Sequence, residues 1–149
     1  MKRLALLAFA FVMACGDDGG NPPVGAGTVS ASIDGTAFSG TLAVQAVRSV
    51  NTINISAVGS NTRQLSLNLV GVTTTGNVPI GAGSTSMGQY SVGTQTWVSS
   101  LVGGSGTVVL TTLTTTRAVG TFTFTAIPSP STGATGNKVV TTGAFDVTF

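Results

Sequence analysis

Few side chains in this sequence can do chemistry. Its 149 residues hold no histidine, no glutamate, four aspartates and one cysteine. General acid–base work needs a titratable group beside the reacting atom, and beyond residue 27 the only carboxylates are Asp34 and Asp146. Asp34 precedes Gly35 in a turn pair, where an Asp side chain commonly satisfies backbone N–H groups. Asp146 falls on the outward face of an alternating segment. A two-carboxylate glycosidase needs both acids across one cleft, and nothing in their placement suggests it. Without histidine there is no Ser–His–Asp arrangement, and a Ser–Lys pair would have to use Lys138. Calcium needs clustered carboxylates and carbonyls, whereas Asp17-Asp18 sits in a polar spacer. Gly81-Ala82-Gly83 and Gly103-Gly104-Ser105-Gly106 lack the Lys and the following helix of a phosphate loop. The expectation is therefore no catalytic residue, no metal, no cofactor and no enzyme. One opening is left, at Tyr90 and Trp97. Exposed, they would be ligand-binding residues that stack on sugars or other flat ligands; buried, they would fill the core. The scarcity of large residues favours the core for Trp97.

The single thiol, Cys15, has a distinctive context. Lys2 and Arg3 precede an apolar run over 4–14, and Cys15 follows at once. That is the layout of a secretory signal peptide, too short to span about 30 Å of hydrocarbon. Val12-Met13-Ala14-Cys15 resembles the bacterial lipobox. The resemblance implies cleavage before Cys15, a diacylglycerol on its sulfur and an acylated amine, so that the membrane is a partner through lipid on Cys15. Two or more chains give stable attachment where one is marginal. Gly16 stands where an Asp would signal inner-membrane retention, so the resemblance also implies an exported protein anchored at the outer membrane.

Processing changes the charge. The chain carries six basic and four acidic residues; losing Lys2 and Arg3 leaves Arg48, Arg63, Arg117 and Lys138 against Asp17, Asp18, Asp34 and Asp146. With zero net side-chain charge and no basic patch, nucleic acid is not an expected partner. A lone cysteine permits no internal disulfide, so packing and strand pairing must supply the stability. The 135 residues left after 1–14 suffice for one domain.

Residues 15–27 comprise the lipidated Cys and a Gly/Asp/Pro tether with nothing to bury, whose reach as a flexible chain is on the order of 20 Å. From 28 to 149 the pattern has a period of two. Val29, Ala31 and Ile33 share one face; so do Ile53, Ile55 and Ala57; Leu65, Leu67 and Leu69; Phe122, Phe124 and Ala126; and Phe145, Val147 and Phe149. Ser, Thr and Asn fill most of the alternate positions. Such segments have one apolar and one polar face. Less regular strands are expected over 41–48, 107–114 and 137–142, and short ones near 89–92 and 96–99, while 73–106 is otherwise indistinct. Nothing after Ala14 has helical periodicity. The expected fold is all-β: an antiparallel β-sandwich or small nearly closed β-barrel of about 8–10 strands, following a cleaved helical signal peptide. Few charges are available to protect edges; Lys138 and Arg117 are expected to guard some, and partial closure to hide others.

The terminal Phe145, Val147 and Phe149 look like the last strand of an outer-membrane barrel. Such barrels need aromatic girdles and long lipid-facing rows, and the processed chain has only seven aromatics. The segments Asp34-Gly35-Thr36-Ala37-Phe38, Gly106-Thr107-Val108-Val109-Leu110, Gly120-Thr121-Phe122-Thr123-Phe124-Thr125-Ala126 and Thr141-Thr142-Gly143-Ala144-Phe145-Asp146-Val147 resemble those of a family of bacterial envelope lipoproteins of unknown function. That resemblance implies architecture and location, and no activity. The expected role is a lipid-anchored envelope β-domain, structural or binding, whose protein or glycan partner the residues do not identify. The alternatives are a carrier of a small apolar ligand, a surface sugar-binding module, and a small outer-membrane β-barrel.

Overall fold

A computed structural model describes residues 27–149; the leader, Cys15 and nearly all of the tether lie outside the described residues. Eleven strands and no helix occupy that span: β1 (Gly27–Ile33), β2 (Thr36–Ser39), β3 (Ala43–Ser49), β4 (Thr52–Val58), β5 (Arg63–Val70), β6 (Gly76–Gly81), β7 (Met87–Val92), β8 (Gln95–Val98), β9 (Ser105–Leu113), β10 (Arg117–Pro128) and β11 (Lys138–Thr148).

All pair antiparallel in one sheet of order β2-β1-β11-β10-β8-β7-β5-β4-β3, with β9 and then β6 branching from β10. The twelve-residue β10 makes this possible. Its Ala118–Thr125 stretch pairs with β9, and its last residues, Ile127 and Pro128, switch to β8. One strand thus belongs to two lobes, β2-β1-β11-β10-β9-β6 and β10-β8-β7-β5-β4-β3. Their apolar faces meet in a single core that joins Val29, Phe122 and Val147 to Ile53, Leu65 and Leu69. The sheet does not close, because β3 ends the path. Arg48 on β3 donates from Nη1 to the Thr114 carbonyl in the β9–β10 turn at 2.5 Å, tying this edge strand to the other lobe. Arg117 and Lys138 do not guard edges as expected. They lie on β10 and β11, interior strands of the sheet. The edges are instead a four-residue β2, a β6 that carries Pro79, and β3.

The strand count exceeds the expected 8–10 for local reasons. β2 turns only Phe38 inward, and β6 carries a proline, so neither alternates over enough residues to stand out. Conversely, 137–142 and 144–149 form one strand. A register shift opposite Phe122/Phe124, with Thr142 at φ 48°, reverses the parity between inward Val140 and inward Gly143, Phe145 and Val147. This is a β-bulge. The Asp34-Gly35 hairpin turn is as expected, with φ of 50° and 80° matching the mirror-image turn that two-residue hairpins prefer.

In the core of the first lobe three phenylalanines each face a glycine across the ladder, while Phe38 faces Ala31. Phe145 pairs with Gly120, Phe122 with Gly143 and Phe124 with Gly106. Cross-strand neighbours stand about 4.5–5.5 Å apart, so a ring lying over the partner strand needs a position without a side chain. A Cβ at Gly120 would lie 2.7 Å from Phe145 Cζ, and one at Gly88 would lie 2.8 Å from Phe124 Cε1. The rings then stack on one another, with centroids 6.2 Å (Phe122–Phe124) and 6.3 Å (Phe122–Phe145) apart.

Candidate functional site

The residues singled out for ligand binding are brought together, but inside. Tyr90 and Trp97 face each other across β7 and β8 with centroids 5.9 Å apart, and they are only 4% and 3% exposed. Trp97 Nε1 donates to the carbonyls of Gly136 (2.7 Å) and Thr135 (3.3 Å), fixing the loop before β11. Phe38 meets Tyr90 edge-on at 6.5 Å. Neither Tyr90 nor Trp97 offers an open ring face for stacking on a surface ligand.

Two cations cap this cluster. Arg63 donates from Nε to the Tyr90 hydroxyl (2.9 Å) and from Nη1 to the Ala37 carbonyl (2.8 Å), with its guanidinium 5.3 Å from the centre of the Phe38 ring. Lys138 Nζ lies 5.1 Å from the centre of the Trp97 ring and 2.9 Å from Asp34 Oδ2. Cation–π contacts of this kind are worth about 0.5–1 kcal/mol at exposed sites. The role of Arg63 has no signal in its neighbours along the chain; it arises from the pairing of β5 with β7 and the approach of β2.

The two carboxylates of the domain are spoken for. Asp34 accepts from the Val139 N–H (2.9 Å) and from Lys138, and both interactions hold its carboxyl below the ordinary value of 3.8. Asp146 accepts a bidentate pair from Arg117 at 2.8 and 2.6 Å, which likewise lowers its pKa. A general acid needs the opposite shift, upward toward neutral pH. Lys138 is engaged by Asp34 and Trp97, and among the described residues no serine hydroxyl bonds to it. The buried Ser99 and Ser86 serve the backbone, accepting from the N–H groups of Gly88 (2.9 Å) and Val70 (2.8 Å). Among the described residues no group of three or more His, Cys, Asp or Glu side chains could hold a metal ion.

Depressed carboxylate pKa values fix the sign of the acid response. Both groups favour the fold when ionised, so their contribution is complete above the unfolded value near 3.8 and is lost as pH falls through the lower folded values. The melting temperature is expected to fall between pH 5 and pH 2, and to fall less steeply in Asp34→Asn than in the parent. Parallel curves from thermal melts followed by circular dichroism would contradict the assignment.

A site that the sequence did not announce lies on the outer face of the second lobe. β3, β4, β5 and β7 set two outward ranks side by side: Val47, Asn54, Asn68, Met87 and Gln45, Ser56, Ser66, Gln89. Short serines in the middle, with longer side chains around them, leave a trough of about 350 Å³. Asn68 Nδ2 donates to Asn54 Oδ1 at 2.5 Å, and Gln64 Nε2 to Ser56 Oγ at 3.1 Å. No charged side chain lines it. The signal was present in inverted form: Asn54-Ile55-Ser56 runs against Ser66-Leu67-Asn68, so antiparallel pairing puts amide opposite amide and hydroxyl opposite hydroxyl.

A family model described as a domain of unknown function (DUF6252) matches residues 26–147. No curated protein and no solved structure matches the chain.

Proposed function

The chain belongs to the DUF6252 family, and from that premise we propose that it is an exported, lipid-anchored, non-enzymatic binding domain of the bacterial outer membrane. The observation that carries this reading is the apolar run over 4–14 ending at the only cysteine, Cys15, with a polar spacer before β1 begins at Gly27. The state of the domain's charges supports the non-enzymatic half. Arg48, Arg63, Arg117 and Lys138 all hold carbonyl, hydroxyl or carboxylate oxygens of the fold, and both carboxylates are bound by them or by backbone.

Two alternatives receive less support. An apolar-ligand carrier needs a hollow interior, whereas rings packed 5.9–6.5 Å apart occupy this one. A lipid-facing barrel needs an apolar exterior, whereas β9, β10 and β11 turn Thr107, Thr121, Thr123 and Thr141 outward.

Metabolic labelling with palmitate tests the anchor. The parent chain is expected to incorporate label and to sediment with membranes. Cys15→Ser should lose all label and accumulate at the length of the uncleaved precursor. Equal processing and membrane retention in Cys15→Ser would overturn the reading.

A further inference from the structure

We propose that the trough on β3, β4, β5 and β7 binds a neutral, polyhydroxylated chain, that is, an uncharged glycan. This rests on the binding half of the function proposed above and is independent of the anchor.

Four strands at about 4.8 Å spacing make a platform on the order of 15 Å wide. The trough volume of about 350 Å³ falls within the range of small-ligand sites, roughly 300–1,000 Å³. Its chemistry narrows the occupant. Gln45, Asn54 and Asn68 carry amides, each with donors and an acceptor, and Ser56 and Ser66 carry hydroxyls that can do either. The Asn68–Asn54 bond uses one donor and one acceptor, and it leaves the Asn54 NH2 and the Asn68 Oδ1 as a donor and an acceptor for a ligand. Adjacent sugar hydroxyls, which both donate and accept, match such a pair.

Charge settles between ligand classes. A carboxylate, phosphate or ammonium entering the trough would lose hydration with no counter-ion to replace it, since no charged side chain lines it. A neutral chain suffers no such loss. Most of the exposed lining is apolar, Val47 and Met87 on the flanks included, and it gives the C–H faces of sugar rings a surface to rest on. Tyr90 and Trp97 have no part in this site, being sealed in the core.

Affinity electrophoresis of the full chain tests the proposal, with amylose, dextran or mixed-linkage β-glucan in the gel as neutral probes and polygalacturonate and heparin as anionic ones. At least one neutral polymer is expected to slow the parent, and neither polyanion should. Ser66→Phe fills the floor of the trough and should weaken binding by about tenfold or more, the equivalent of two lost hydrogen bonds. Asn54→Ala combined with Asn68→Ala serves the same purpose with less steric demand, should the filled variant fail to fold. Thr123→Ala, on the other lobe, should bind like the parent. Retardation by polyanions alone, by none of the polymers, or equally in parent and trough variants overturns the proposal. A chain that takes up palmitate yet binds none of the neutral polymers would sink the glycan site and leave the anchor standing.

Discussion

Replacing Phe122 with alanine is expected to lower the stability of the domain by roughly 3–5 kcal/mol, a large fraction of the total of about 5–15 kcal/mol that domains of this size possess. Phe122 is 2% exposed and stacks between Phe124 and Phe145, with centroids 6.2 and 6.3 Å away. The hole left behind is bounded on one side by Gly143, which has no side chain to move into it. The reciprocal change separates ring–glycine pairing from ordinary burial. A Cβ at Gly143 would collide with Phe122 Cδ2 and come within 2.5 Å of the Phe122 carbonyl oxygen. Gly143→Ala should therefore cost about 1–3 kcal/mol through overpacking. Because the two residues share one space, Gly143→Ala in a Phe122→Leu background should cost measurably less than in the parent. Urea titrations followed by circular dichroism read all of these values. Additive costs would mean that the facing pair is incidental.

Trp97→Ala should be comparably damaging, at about 3–5 kcal/mol. It removes the ring stacked on Tyr90 and the ring under Lys138, together with both hydrogen bonds that hold the carbonyls of Thr135 and Gly136. Trp97→Phe isolates the last of these contributions. It keeps most of the buried area but no N–H donor, so the expected cost falls to about 1 kcal/mol plus some packing loss. Its signature is local: limited proteolysis should cut the 129–137 loop faster than in the parent. Trp97 is the only tryptophan, so unfolding of these variants must be followed by circular dichroism. A Trp97→Phe domain as resistant to cleavage as the parent would contradict the anchoring role of the indole.

The sequence made some parts of this fold plain and hid others. Strands with an unbroken period of two, such as Ile53-Asn54-Ile55 and Leu65-Ser66-Leu67, were legible because one face is buried and the other wet over several residues. β11 read as two strands because a bulge reverses which face is which, and parity along the chain cannot signal that in advance. The branching of β10 was hidden too. Nothing in Ala126-Ile127-Pro128 indicates that the strand exchanges β9 for β8, since that depends on where β9 begins.

The candidate sites divide along the same line. Asp34 and Asp146 were legible as a turn former and an outward strand residue. Their engagement by Lys138, 104 residues away, and by Arg117, 29 residues away, depends on register. The pairing of Phe122 with Gly143 and of Phe145 with Gly120 was visible only as two separate motifs, and their alignment across β10 and β11 supplies the meaning. The trough was written in Asn54-Ile55-Ser56 and Ser66-Leu67-Asn68, but a polar alternation looks the same whether it lines a site or merely meets water. Side-chain length across four strands makes the difference, and that requires β3 and β7 at the flanks.

The intact mass of the chain isolated from the cell envelope tests the proposed address at Cys15 most directly. The predicted species begins at Cys15 and carries the added mass of a diacylglyceryl group and an amide-linked acyl chain. An unmodified chain, or one that begins at any other residue, would contradict it.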